Sequence, residues 1–126
     1  MNLSIDIGNS KVKIAVFKAD KICDVSSFAN DELLSKLLEV KSKHFIKATI
    51  LSTVAGIDTD ILSEIKTIFP LIVLNINLKF PFQIKYTTKE TLGVDRLALV
   101  AAAVKNYPKQ NVLVIDAGTC ITYDFK

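Results

Sequence analysis

Two short stretches at opposite ends of the chain carry the residue types that grip phosphate. Ser4-Ile5-Asp6-Ile7-Gly8-Asn9-Ser10 is echoed by Val114-Ile115-Asp116-Ala117-Gly118-Thr119-Cys120. Each reads as strand, aspartate, any residue, glycine, small polar residue, strand. The glycine lets the turn backbone approach a phosphate, amides and hydroxyls donate to its oxygens, and a strand-end carboxylate holds a cation that bridges to it. Two such turns facing each other can clamp one polyphosphate. Asp-x-Gly is also an ordinary turn sequence, because Asp and Gly favour turns for local reasons. The duplication, with each copy just inside a hairpin, favours the phosphate reading. P-loop and Rossmann fingerprints do not occur in the chain, so an ordinary mononucleotide fold does not compete with it.

The elements that must position these turns are legible from periodicity. Asn2 to Asp6 and Lys11 to Phe17 alternate apolar and polar residues around the Gly8-Asn9-Ser10 turn, and Ile22 to Phe28 supplies a third antiparallel strand. From Asn30, read as an N-cap followed by Asp31 and Glu32, the leucines 33, 34, 37 and 38 recur at helical spacing. Ala48 to Val54 reads as a buried strand, a helix marked by Ile57, Ile61, Leu62, Ile65 and Ile68 ends before Pro70, and Leu71 to Ile76 is another strand. Pro81 interrupts the next stretch, leaving Phe82 to Tyr86 as a short edge strand. A third helix runs from Gly93 to about Asn106, Asn111 to Ile115 leads into the second turn, and Ile121 to Phe125 is its hairpin partner. The expected order is three strands, then α, β, α, β, followed by a helix and a hairpin.

Composition narrows the function classes. A chain of 126 residues buries about two-thirds of its unfolded surface, enough for a core without staples. Half of its residues are hydrophobic, which fits a chain that hides some surface against a partner. The formal charge of +3 arises from 16 basic and 13 acidic residues spread along the sequence, so no block tracks a nucleic-acid backbone and no nucleic-acid partner is expected. Cys23 and Cys120 form no CxxC pair, and no apolar run is long enough to cross a membrane. Free thiols in a reducing cytoplasm, away from membranes, are the expectation. His44 has no second histidine or nearby cysteine with which to bind metal and is given no role.

Three motifs together resemble those of a known family. Asp6-Ile7-Gly8-Asn9-Ser10-Lys11-Val12-Lys13 resembles DxGNTxxK, Gly93-Val94-Asp95-Arg96 matches GxDR, and Asp116-Ala117-Gly118-Thr119 matches DxGT, in the order and rough spacing of type III pantothenate kinases. These belong to the acetate and sugar kinase, heat-shock ATPase and actin superfamily, and the resemblance spans essentially the whole chain. It implies a ribonuclease H-like α/β fold, a mixed sheet opening with three antiparallel strands and flanked by helices. Residues 1–108 would form this first domain, and 109–126 the first hairpin of a second, similar domain. The family continues well past this length, so the expectation is an N-terminal portion that, alone, phosphorylates pantothenate poorly.

The resemblance also implies activity and roles. The reaction would be ATP-dependent phosphorylation of pantothenate, the first step of coenzyme A synthesis. Asp6, Gly8, Asn9, Ser10 and Lys13 would bind ATP phosphates, with Gly118 and Thr119 from the second loop. Ser10 replaces the family's threonine and keeps the hydroxyl. Lys13 has the alternative of an exposed strand lysine. Asp116 would bind a monovalent cation, potassium or ammonium, and Asp6 magnesium. Asp95 would be the general base, its alternative being to favour the helix N-terminus electrostatically. Tyr86, Gly93, Val94, Asp95 and Arg96 would contact pantothenate, since a guanidinium and a phenol suit a ligand with a carboxylate, amides and hydroxyls. For Tyr86, packing is the alternative. A homodimer is expected. The competing functions are another small-molecule kinase of the superfamily, which shares the phosphate loops, and a non-catalytic transcriptional accessory factor. The retention of Asp6, Asp95, Asp116 and Thr119 disfavours the latter.

Overall fold

The alternating N-terminal sequence folds as a meander. In the computed structural model, which describes residues 1–54, 56–118 and 120–126, Asn2–Ile7 (β1), Val12–Lys18 (β2) and Lys21–Phe28 (β3) pair antiparallel in sequence. The register between β2 and β3 shifts at Val16/Phe17, where a bulge adds local twist. The chain then crosses through Leu33–Lys43 (α1) to Ala48–Thr53 (β4), and through Thr59–Ile68 (α2) to Leu71–Val73 (β5). Both later strands run parallel to β1, giving one mixed sheet of order β3-β2-β1-β4-β5. Parallel strands need such crossovers, and helices are the usual way to make them.

The two faces of this sheet differ. Leu3, Ile5, Ile7, Val12, Ile14, Val16 and Leu51 point to one side and are buried against Leu33, Leu37 and Val40 of α1 and Ile65 of α2. Leu37, Leu51 and Ile65 have no exposed surface, and fully burying one such side chain stabilises by roughly 1.5–3 kcal/mol. On the other side Val25, Ile50 and Ile72 remain exposed.

Contacts within the chain divide it into two units, Met1–Leu74 and Asn75–Lys126. The second unit begins irregularly, makes one 3₁₀ turn at Lys89–Thr91, and continues with Val94–Asn106 (α3), Leu113–Ala117 (β6) and Ile121–Phe125 (β7). The last two strands form an antiparallel hairpin that packs on α3. α3 falls in the second unit because it contacts β6 and β7.

Several local expectations are corrected. Asn30 does not cap α1. It lies in a 3₁₀ turn, Asn30–Glu32, and the Glu32 carboxylate reaches back to accept the Ala29 amide at 3.2 Å. Asp58 starts α2 by accepting the Asp60 amide at 2.7 Å, so the helix begins after Ile57. The strand after Pro70 ends at Val73 because its ladder with β4 ends there. Phe82 to Tyr86 form no strand, since no strand among the described residues pairs with this stretch.

Candidate functional site

The first turn closes tightly. Asp6 is the penultimate residue of β1, directly across from Lys13 of β2 on one side and Ser52 of β4 on the other. Paired residues share a face of the sheet, so carboxylate, ammonium and hydroxyl form a row opposite the core, at the carboxyl ends of two parallel strands. Open α/β sheets bind ligands at such ends. The Gly8 amide donates to the Lys11 carbonyl at 3.0 Å, and a Cβ at Gly8 would lie 3.2 Å from that oxygen, so any side chain there would crowd the turn. Asn9, Ser10 and Lys13 are exposed. Ser52 is buried, and its hydroxyl has no hydrogen-bond partner among the described residues.

The second turn repeats this arrangement. Asp116 is again penultimate in its strand, across from Thr122 of β7. The Gly118 amide donates to the Cys120 carbonyl at 3.0 Å. Thr122 also carries a buried hydroxyl without a partner among the described residues. Each strand-end aspartate therefore has an unsatisfied hydroxyl in register beside it. Thr119 lies outside the described residues.

The start of α3 holds the third motif. Gly93 is the N-cap, and Asp95 Oδ1 accepts the Arg96 amide at 2.8 Å. The carboxylate folds back over Gly93 so closely that a Cβ there would collide with Asp95 Oδ1. Gly93 has an ordinary φ of −58°, so it is the close approach that calls for glycine. One residue on, the Arg96 guanidinium grips Asp124 of β7 with two hydrogen bonds, Nε to Oδ2 at 2.9 Å and Nη2 to Oδ1 at 2.6 Å. Nη2 also donates to the Tyr123 carbonyl at 3.4 Å. The Tyr86 ring lies 5.2 Å from the guanidinium carbon, within cation–π range. Hydrogen bonding to Asp124 outweighs burial and holds the Arg96 pKa above its ordinary value.

Arg96, Tyr86 and Asp124 sit in a cleft of about 660 Å³, walled by apolar side chains such as Phe82, Leu97 and Val100. That volume and a few convergent polar groups suit a small organic ligand. Among the described residues no three His, Cys, Asp or Glu side chains gather as a metal site.

A family model described as type III pantothenate kinase matches residues 2–125. The chain belongs to this family. It is 43% identical to the type III pantothenate kinase of Christiangramia forsetii over 100% of this chain and 52% of that protein. Identity to the type III pantothenate kinases of Flavobacterium psychrophilum and Bacteroides fragilis is 37% and 38%, over 99% of this chain and 52% and 51% of theirs. The chain spans about half the length of the curated relatives it matches.

For a type III pantothenate kinase, the expected residues fall into three places. Asp6, Gly8, Asn9, Ser10 and Lys13 lie together at the first turn; Asp116 and Gly118 lie at the second; Gly93, Val94, Asp95 and Arg96 open α3. Tyr86 joins Arg96 across the cleft, and Asp95 is not among the residues lining it. Sequence reasoning missed Ser52, Thr122 and Asp124. The inverted alternation of Ile121-Thr122-Tyr123-Asp124-Phe125 concealed the last two: in the folded hairpin the polar residues are half-buried and the apolar ones exposed.

Proposed function

We propose that the protein phosphorylates pantothenate with ATP, the first step of coenzyme A synthesis. The observation that carries this reading is the convergence of Arg96 and Tyr86 in one cleft of a chain whose family is type III pantothenate kinase. The sheet order, with three antiparallel strands followed by two parallel to the first, supports a ribonuclease H-like fold for the first domain. Residues 1–108 and 109–126 remain our proposed domain and opening hairpin.

In this reading the Gly8 turn, with Asn9, Ser10 and Lys13, binds the ATP phosphates, as do Gly118 and Thr119. Arg96 and Tyr86 hold the acceptor, helped by the backbone of Gly93 and Val94. Asp95 accepts the proton of the attacking hydroxyl. A loose phosphoryl-transfer transition state needs that hydroxyl held in line more than it needs it ionised, so a positioned carboxylate suffices. The oxygen donors suit hard cations, which take carboxylate, hydroxyl, carbonyl and phosphate oxygens. Asp6 with Ser52 would hold magnesium, and Asp116 with Thr122 a monovalent cation, potassium or ammonium. Such ions neutralise phosphate charge when bound.

A homodimer in the cytoplasm completes the proposal. The exposed Cys23 and Cys120 fit a reducing compartment.

The test is a panel of hydroxyl acceptors offered with ATP to the full-length gene product, read by ADP release. Pantothenate should give the highest kcat/KM, and Asp95→Asn should lower kcat about 10²- to 10⁴-fold. Turnover of a different acceptor with none of pantothenate would overturn the reading.

A further inference from the structure

Arg96 is the only arginine in a chain with 15 lysines, and the fold engages it with a carboxylate outside every motif described above. Asp124 takes the Nε and one Nη2 hydrogen in a bidentate fork, and the Tyr123 carbonyl takes the remaining Nη2 direction. Both charged side chains are about four-fifths buried, 18% and 17% exposed. Buried charges are kept only when paired and hydrogen-bonded, so this pair is a built contact and no chance surface bridge. With that edge occupied, a ligand is left the other side of the guanidinium, which it shares with the Tyr86 side chain near it.

We infer that Asp124 is a positioning residue: it fixes the Arg96 guanidinium so that its remaining edge, beside Tyr86, meets the acceptor's anionic group in the cleft. This rests on the reading that Arg96 binds the acceptor. The physical case is pre-organisation. A lone arginine has many rotamers and must give up that freedom when a ligand binds; one held by a planar fork has already done so. Lysine could not replace it, because a point charge cannot be held by one edge while presenting another. The 28 residues between Arg96 and Asp124 place the two on α3 and β7, so the pair also ties the cleft's polar floor to the terminal hairpin.

Two measurements on the full-length protein test this. Among the residues of this chain, one arginine gives one side-chain Nε–Hε signal by nitrogen-15 NMR, assigned by its loss in Arg96→Lys. In the wild type the signal should exchange slowly with water, and in Asp124→Ala at least about tenfold faster, with Asp124→Asn between them. An exchange rate unchanged by both substitutions would overturn the inference. In steady-state assays Asp124→Ala should raise the pantothenate KM about tenfold with the ATP KM within about twofold, and add less than about twofold in an Arg96→Ala background. An unchanged pantothenate KM, or equal losses in both backgrounds, would also overturn it, whereas a purely structural role would move both KM values and kcat together. If the wild type turns over another acceptor and never pantothenate, the functional reading fails by itself. The NMR exchange rate and that other acceptor's KM then decide the role of Asp124.

Discussion

At the scale of single residues, Gly93 shows how sequence sets chemistry. Its backbone angle is open to any residue, but its missing Cβ leaves room for the Asp95 carboxylate to fold back onto the first turn of α3. Gly93→Ala pushes that carboxylate out of place without touching the core. With Asp95 as the proposed base, kcat should fall at least about tenfold with little change in melting temperature, because small misplacements of a reacting group are expensive. A variant with unchanged kcat would show that Asp95 needs no such placement. Arg96 acts through charge as well as shape. Hydrogen bonding to Asp124 raises its pKa, so the pair's stabilisation is complete below the guanidinium's ordinary range and is lost only above the raised value. The difference in melting temperature between wild type and Arg96→Leu should therefore stay constant from neutral pH to about pH 10. Convergence of the two curves over that interval would contradict the paired geometry.

At the scale of elements, apolar periodicity decided most of what forms. The β1–β2 hairpin, α1, α2 and α3 were legible because residues such as Leu3, Ile5, Val12, Leu37, Ile65 and Leu97 recur at the spacing that buries one face. Leu51→Ala in β4, where no surface is exposed, should cost about 2–5 kcal/mol in urea unfolding. Asp58→Ala, which removes only the α2 cap, should cost about 1 kcal/mol. A smaller loss for Leu51 than for Asp58 would mean the core is not where we place it. Where tertiary partners override local pattern, the sequence was a poorer guide. Tyr86 lies in a stretch with strand-like residues but no strand to pair with among the described residues, and Asn30, which looked like the cap of α1, lies in a 3₁₀ turn ahead of a helix that starts without a side-chain cap. The Gly8 turn and the Gly93 motif stand out in the sequence because close approach there calls for glycine. Ser52, Thr122 and Asp124 were not, because each matters through a neighbour in another strand or helix.

At the scale of the whole molecule, the terminal hairpin sets an expectation about association. Its outward face presents Leu113, Ile115, Ile121, Tyr123 and Phe125, every one more than half exposed. Contiguous apolar surface of this kind marks interaction sites. Sedimentation velocity of the 126-residue chain should show concentration-dependent self-association, weakened by Ile115→Lys, and a monomer at all concentrations would remove this face as its contact. The molecule's function rests on a chemical claim that can be read directly. Incubation of the full-length gene product with ATP and pantothenate, followed by phosphorus NMR, should show a new phosphate monoester on the pantothenate hydroxyl, formed at least about a hundredfold more slowly by Asp95→Asn. ATP consumption without that ester, or an ester formed equally fast by the variant, would contradict the account.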